Sequence, residues 1–325
     1  MRLLRFCFNL LEPVFKLAQK LLGSERLGWF FVGPNLLIFG AFTFAPIVIN
    51  IFYAVTGGVQ LLPSNRPYIG LENFHVLFEC KDYFDIQSCR KDVFWRAIFN
   101  TAKFSIIQVT LMVFFSLITA LILNRKIIGR GFWRSIFFYP VLLSPVVVAL
   151  IWKWMLHNQG VFNAVLVGIQ QTPIEWLTTS HWAFFWTIFV SIWAHMGFYT
   201  LILLAGLQAI PKDLYEAALM DKTSAFRTLW KITLPLLMPN LIVVLILAMI
   251  RAVQVFDEIF VLTGGGPGSA TTFIVQFIYQ TGFAEQIHLY GLAAAASLTL
   301  ALGLIALTLV QLRLTRASES VQKSN

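Results

Sequence analysis

Residues 216–235 read EAALMDKTSAFRTLWKITLP. On the left lies WAFFWTIFVSIWAHMGFYTLILLAGL (182–207) and on the right LIVVLILAMI (241–250), both without a charge. The segment between them is polar and helix-friendly. Upstream, Pro211 suits a first helical position and Asp213 the positive end of a helix dipole. Leu214, Ala217, Ala218 and Asp221 recur at spacings of three and four, giving a small apolar face with an acid at its edge. Glu216 stands on another part of the surface. After Lys222, Thr223 or Ser224 can cap a second helix through Phe226, Leu229, Trp230 and Ile232, which Pro235 is expected to stop. Two short helices joined by a turn make a rigid, protruding device, more than a linker between apolar runs needs.

Those runs set the solvent. Hydrophobic residues make up 58% of the 325 and charged residues only 12%, about half the ~25% of a soluble domain. Mean hydropathy is +0.76. Six stretches approach the roughly 20 apolar residues that span a bilayer: Trp29–Val55, Phe104–Leu123, Ile136–Trp152, Trp182–Leu207, Leu241–Leu262 and Gly291–Leu312. The expected fold is therefore all-α, a polytopic membrane protein of six transmembrane helices. Residues 1–28 form an N-terminal segment, 29–312 the membrane domain with its connection at 208–240, and 313–325 a tail. The net charge of +9 belongs to loop topology rather than to a nucleic-acid surface.

Positive residues crowd the N-terminal segment (Arg2, Arg5, Lys16, Lys20, Arg26), the second-to-third connection (Arg125, Lys126, Arg130, Arg134), the segment around 216–235 (Lys212, Lys222, Arg227, Lys231) and the C-terminus (Arg313, Arg316, Lys323). The positive-inside rule puts these regions, and both termini, in the cytoplasm. Residues 3–21 place Leu3, Phe6, Leu10, Val14, Leu17 and Leu21 at helical spacing, as in an amphipathic segment lying on the inner membrane surface. Cys7 falls on that reduced side. Cys80 and Cys89 fall in the first outside loop, where either a disulfide or two free thiols is chemically allowed. A bridge would stabilise this ten-residue loop by roughly 2–3 kcal/mol.

With the flanking spans in place, EAALMD followed by ITLP resembles the EAA loop of the membrane subunits of binding-protein-dependent ABC importers. Glu216, Ala217, Ala218, Ile232, Leu234 and Pro235 match that pattern, and Asp221 matches a common acidic position. Lys222 departs from it, because the family usually has Gly there. Glycine takes positive φ freely, whereas lysine would pay on the order of 1 kcal/mol. Val255–Thr272, VFDEIFVLTGGGPGSATT, is similar to a segment of carbohydrate-type permeases, for maltose or glycerol phosphate. The likeness covers almost all of the chain after Trp29. It implies a cytoplasmic coupling-helix loop seated on ABC ATPase subunits through Leu214, Glu216, Ala217, Ala218, Asp221 and Lys222. It also implies a second homologous permease, an extracytoplasmic solute-binding protein and a sugar-like substrate. ATP and Mg would be held by the ATPase, with no cofactor on this chain.

A charge inside a span costs at least ~2.5–3.5 kcal/mol. Arg251, Gln254, Val255 and Glu258 are expected on one helical face, with Asp257 turned about 100° away. That face, with Gly264, Gly265, Gly266 and Pro267 at its outer mouth, is the candidate solute pathway or gate; interhelical ion pairs are the alternative reading. Trp193, His195, Phe198 and Tyr199 add polar and aromatic groups in the fourth span, where His195 reads first as a structural histidine. GGGPGSATT is no phosphate loop, since it lacks the Lys and the preceding strand. An ion-coupled secondary transporter would need inverted repeats and a midplane acid. Asp257 or Glu258 could serve, but no internal repeat is visible. A membrane enzyme would need clustered histidines or acids, and the five histidines (75, 157, 181, 195, 288) are scattered. Both readings leave the EAA-type loop without a role.

Overall fold

The computed structural model describes Gln19, Gly23 and residues 29–324 apart from Phe84 and Lys126, and of 314–324 the backbone only. The amphipathic segment expected over residues 1–28 therefore lies outside the described residues, save for those two. Twelve helices of six residues or more occur among the described residues: α1 Trp29–Ala54, α2 Glu72–Phe78, α3 Asp92–Asn124, α4 Arg130–Leu142, α5 Pro145–Met155, α6 Val161–Gly168, α7 Ser180–Ala209, α8 Lys212–Met220, α9 Ala225–Val253, α10 Asp257–Thr263, α11 Ile274–Tyr279 and α12 Tyr290–Ser324. The only β pairing among them is two isolated bridges, Thr56 with Tyr68 and Cys80 with Cys89. Five helices are long and apolar enough to cross a membrane, and α4 with α5, bent by 98°, makes a sixth when the pair is counted as one broken span.

Helix directions follow from who touches whom. Lys103 lies over the Phe184 ring and Ser116 donates to the Met196 carbonyl, so α3 and α7 run parallel. Asn50 donates to Ser297 while Tyr53 meets the Tyr290 ring, so α1 and α12 run antiparallel. His195 meets Arg251 and Gly206 abuts Asn240, so α7 and α9 are antiparallel as well. Second and fourth, first and sixth, and fourth and fifth passes of one chain must relate in this way. The even count of spans thus has its geometric counterpart.

α3, α7 and α9 form the core around Phe104, Met112, Leu203, Leu237 and Val244. At 33 residues α3 is about 50 Å long, well beyond the ~30 Å hydrocarbon core, and it begins twelve residues before the expected span. α1 exposes its apolar side chains along nearly its whole length, as lipid permits. Two spans depart from the simple helices expected. The third breaks at Leu143–Ser144, both extended, because Ser144 precedes Pro145 and a residue before proline is pushed out of the α region. α4 crosses α7 very closely, and a Cβ on Gly197 would fall on the Phe137 carbonyl oxygen, so glycine is required there. The fifth breaks at Gln254–Phe256, where Phe256 (φ −148°, ψ −65°) leaves the helical region. Asp257 and Glu258 then stand in the first turn of α10, where the helix dipole favours acids.

Pro235 does not stop the second helix of the 208–240 connection. α9 runs through Pro235 and Pro239 into the fifth span. A π turn at Leu229–Thr233, closed by Leu234 N–H to the Leu229 carbonyl, comes immediately before Pro235. The wider turn offsets the backbone ladder by one residue where proline would otherwise clash and lack its donor. α1 repeats the device, with a π turn at Gly40–Phe44 followed by Ala45 and Pro46.

Candidate functional site

The turn between α7 and α9 is built by local capping. Pro211 occupies the N-cap of α8, one place earlier than expected. At the other end, Thr223 N–H donates to the Ala218 carbonyl at 2.9 Å and Lys222 N–H to the Leu219 carbonyl at 3.0 Å. This is the Schellman arrangement, with Lys222 as the left-handed residue (φ +53°). The position therefore keeps the geometry that favours glycine, and lysine carries the cost. Ser224 Oγ then accepts from Arg227 N–H and caps α9. Tyr215 Oη and Thr233 Oγ1, 3.2 Å apart, tie α8 across to the π turn. α8 is thereby fastened to the base of the fifth span.

The surface differs from the expected apolar face. Ala218 is buried within the chain, while Leu214, Glu216, Ala217, Asp221 and Lys222 are exposed. Leu219 (74% exposed), Met220 (84%) and Phe226 (72%) form the apolar tip, which α8's spacing alone did not select. Phe226 and Trp230 rings lie 6.1 Å apart beside it. Ile232, Leu234 and Pro235 are half-buried and hold the arm rather than form its outer surface.

The intramembrane charges meet around His195. Its Nδ1 lies 2.8 Å from the Ser191 carbonyl and its Nε2 faces Arg251 Nη2. A ring that donates from Nδ1 presents Nε2 as the acceptor for the guanidinium. Glu258 Oε1 stands 4.0 Å from Nδ1. His195 and Glu258 are buried, so a buried acid and a cation on separate helices both approach one imidazole, which hydrogen-bonds the cation. The break at 254–256 overturns the single face expected for Arg251, Gln254, Val255 and Glu258. Gln254 and Asp257 are exposed, and Val255 is buried in the core. His195, expected as structural and isolated, is the hub; Ser191 and its place one turn below were not singled out. Pro140, Leu143, Phe198, Tyr199, His195 and Arg251 line a cavity of about 240 Å³ here. The kink of the third span supplies its prolines.

The glycine-rich loop lies elsewhere, on α3. Asn100 Nδ2 donates to the Ser269 and Thr272 carbonyls at 2.8 and 3.1 Å, and Thr101 Oγ1 accepts from Ile274 N–H at 2.9 Å. Thr271 Oγ1 donates to the Gly266 carbonyl at 2.7 Å. Gly265 (φ +94°) rests on the buried Gln276 amide, where a side chain would collide. Gly264, Gly266 and Pro267 complete this anchored loop and do not line the cavity at Arg251. Farther out, Cys80 and Cys89 form a disulfide. Beside it, Arg90 Nη1 donates to Glu79 Oε2 at 2.8 Å and holds that carboxyl below the usual range.

Fold and site together define a multi-pass membrane transport subunit with a fastened helical arm. Residues 112–319 match the family described as binding-protein-dependent transport system inner membrane component, and the chain belongs to that family. It is a transport component, not an enzyme. The trehalose/maltose transport system permease protein MalF of Thermococcus litoralis is 38% identical over 302 residues, covering 92% of this chain and 97% of that protein. A chain in the crystal structure of a bacterial ABC transporter involved in the import of the acidic polysaccharide alginate superposes with TM-score 0.77 at 25% identity, over 92% of this chain and 98% of that one. A second alginate transporter structure, in complex with alginate pentasaccharide-bound periplasmic protein, gives TM-score 0.75 at 25% identity, covering 92% and 97%.

Proposed function

We propose that this permease forms half of the path by which an ATP-driven importer carries a sugar or sugar-like solute across the inner membrane. Both termini and the α8 arm face the cytoplasm, as the lysine and arginine distribution favours. The arm seats on a separate ABC ATPase, which holds ATP and Mg. A second homologous permease completes the path, and a solute-binding protein delivers substrate at the opposite end, near the 264–272 loop. The sugar class rests on the relatives, which carry trehalose, maltose and alginate in their names.

The observation that carries the coupling role is mechanical. α8 is tied to α9 by the Lys222 turn and the Tyr215–Thr233 contact, and α9 continues unbroken into the span that carries Arg251. A push on the exposed Leu219–Met220–Phe226 tip therefore reaches the intramembrane cluster without a flexible joint. Solute would pass the cavity of His195, Tyr199, Phe198 and Arg251. Glu216→Arg or Ala217→Trp should abolish ATP-dependent uptake in proteoliposomes and weaken co-purification of the ATPase. Uptake that survives both substitutions, or that runs on an ion gradient without ATP, would refute the coupling role.

A further inference from the structure

Arg130 and Arg134 open the third span on the same face of α4, one helical turn (about 6 Å) apart. Like charges at this spacing repel, and no carboxylate among the described residues pairs with either. Their shared partner is the amide of Gln208, at the end of α7. With its oxygen turned toward them, it accepts from Arg134 Nη2 at 2.7 Å and from Arg130 Nη2 at 3.0 Å. Both Nε atoms are shut off from solvent without an acceptor. One neutral oxygen thus holds two guanidinium groups whose forks are shaped for an oxyanion. Their sequence neighbours Ile128, Phe132 and Trp133 are exposed, at the point where the chain enters a span.

We infer that Arg130 and Arg134, backed by Gln208, bind the phosphate of an acidic phospholipid. Cations set among exposed apolar and aromatic side chains, with no acid, complement the boundary between headgroups and acyl chains. A phosphate bridging the two guanidinium groups removes the repulsion that one neutral amide oxygen leaves between them. The inference does not depend on what the permease carries.

The test uses the full-length chain in detergent, read by native mass spectrometry after addition of phosphatidylglycerol, phosphatidylcholine or inorganic phosphate. Wild type should retain phosphatidylglycerol over phosphatidylcholine, and R130Q/R134Q should retain roughly tenfold less of it. Inorganic phosphate should not displace the lipid. Equal retention of the two lipids overturns the inference, and that comparison needs only the wild-type chain should the double variant fail to fold. Displacement by inorganic phosphate also overturns it and makes free phosphate the ligand. So does undiminished lipid retention by R130Q/R134Q with weakened ATPase co-purification, which assigns the pair to a protein contact.

Discussion

At residue scale, Lys222 shows how a misfit side chain can be retained. Its φ of +53° is imposed by the two Schellman hydrogen bonds and by the tether of α8 to Thr233, which outweigh a left-handed cost of about 1 kcal/mol. Lys222→Gly should therefore raise unfolding free energy by about 0.5–1 kcal/mol, read as an increased thermal midpoint. Uptake rates should stay near wild type if the side chain has no further contact. The intramembrane cluster makes a second prediction. Glu258→Gln should destabilise by about 1–3 kcal/mol, the cost of altering a buried polar group. Combined with Arg251→Met, the loss should fall short of the sum by at least about 0.5 kcal/mol, measured as a double-mutant cycle in detergent unfolding. Strict additivity would mean that His195 does not join the two charges.

Elements rather than residues decide how this sequence uses its prolines. Pro46 and Pro235 each follow a π turn and pass inside long helices, whereas Pro145 starts a new helix after an extended pair. A proline by itself announces a helix stop. The difference lies in the turn before it, which no local pattern in LWKIT or GAFTF reveals. The disulfide loop belongs at this scale too. Cys80 and Cys89 close a short segment between α2 and α3, beside the Glu79–Arg90 pair. Cys80→Ser with Cys89→Ser should cost roughly 2–3 kcal/mol, and reductant should lower the wild-type thermal midpoint while leaving the variant's unchanged. Equal midpoints with and without reductant in wild type would show the loop needs no bridge.

At the scale of the whole molecule, topology is the property most open to direct test. On the proposed orientation, with the α8 arm facing the cytoplasm, a membrane-impermeant thiol reagent applied to intact cells should label Cys80 and Cys89 after reduction and leave Cys7 untouched. Labelling of Cys7 alone would invert the orientation.

The order of apolar runs, their even number and the helical character of residues 212–235 were all legible in the sequence. Each depends on side chains within a few residues of one another and on the bilayer's fixed demand for apolar length. The resemblance at Glu216–Ala218 and Ile232–Pro235 marked the arm as well. The arm's surface was not legible. Ala218 turns inward because α8 is pulled onto the π turn by Tyr215 and Thr233, eighteen residues apart. Nor was the gathering of Arg251, His195 and Glu258, which takes a break in the fifth span and an antiparallel fourth span to bring three distant positions together. Local periodicity determined which segments cross the membrane. Packing between segments decided where those crossings bend and which of their polar groups meet, because a buried charge takes its partner from whichever helix lies against it.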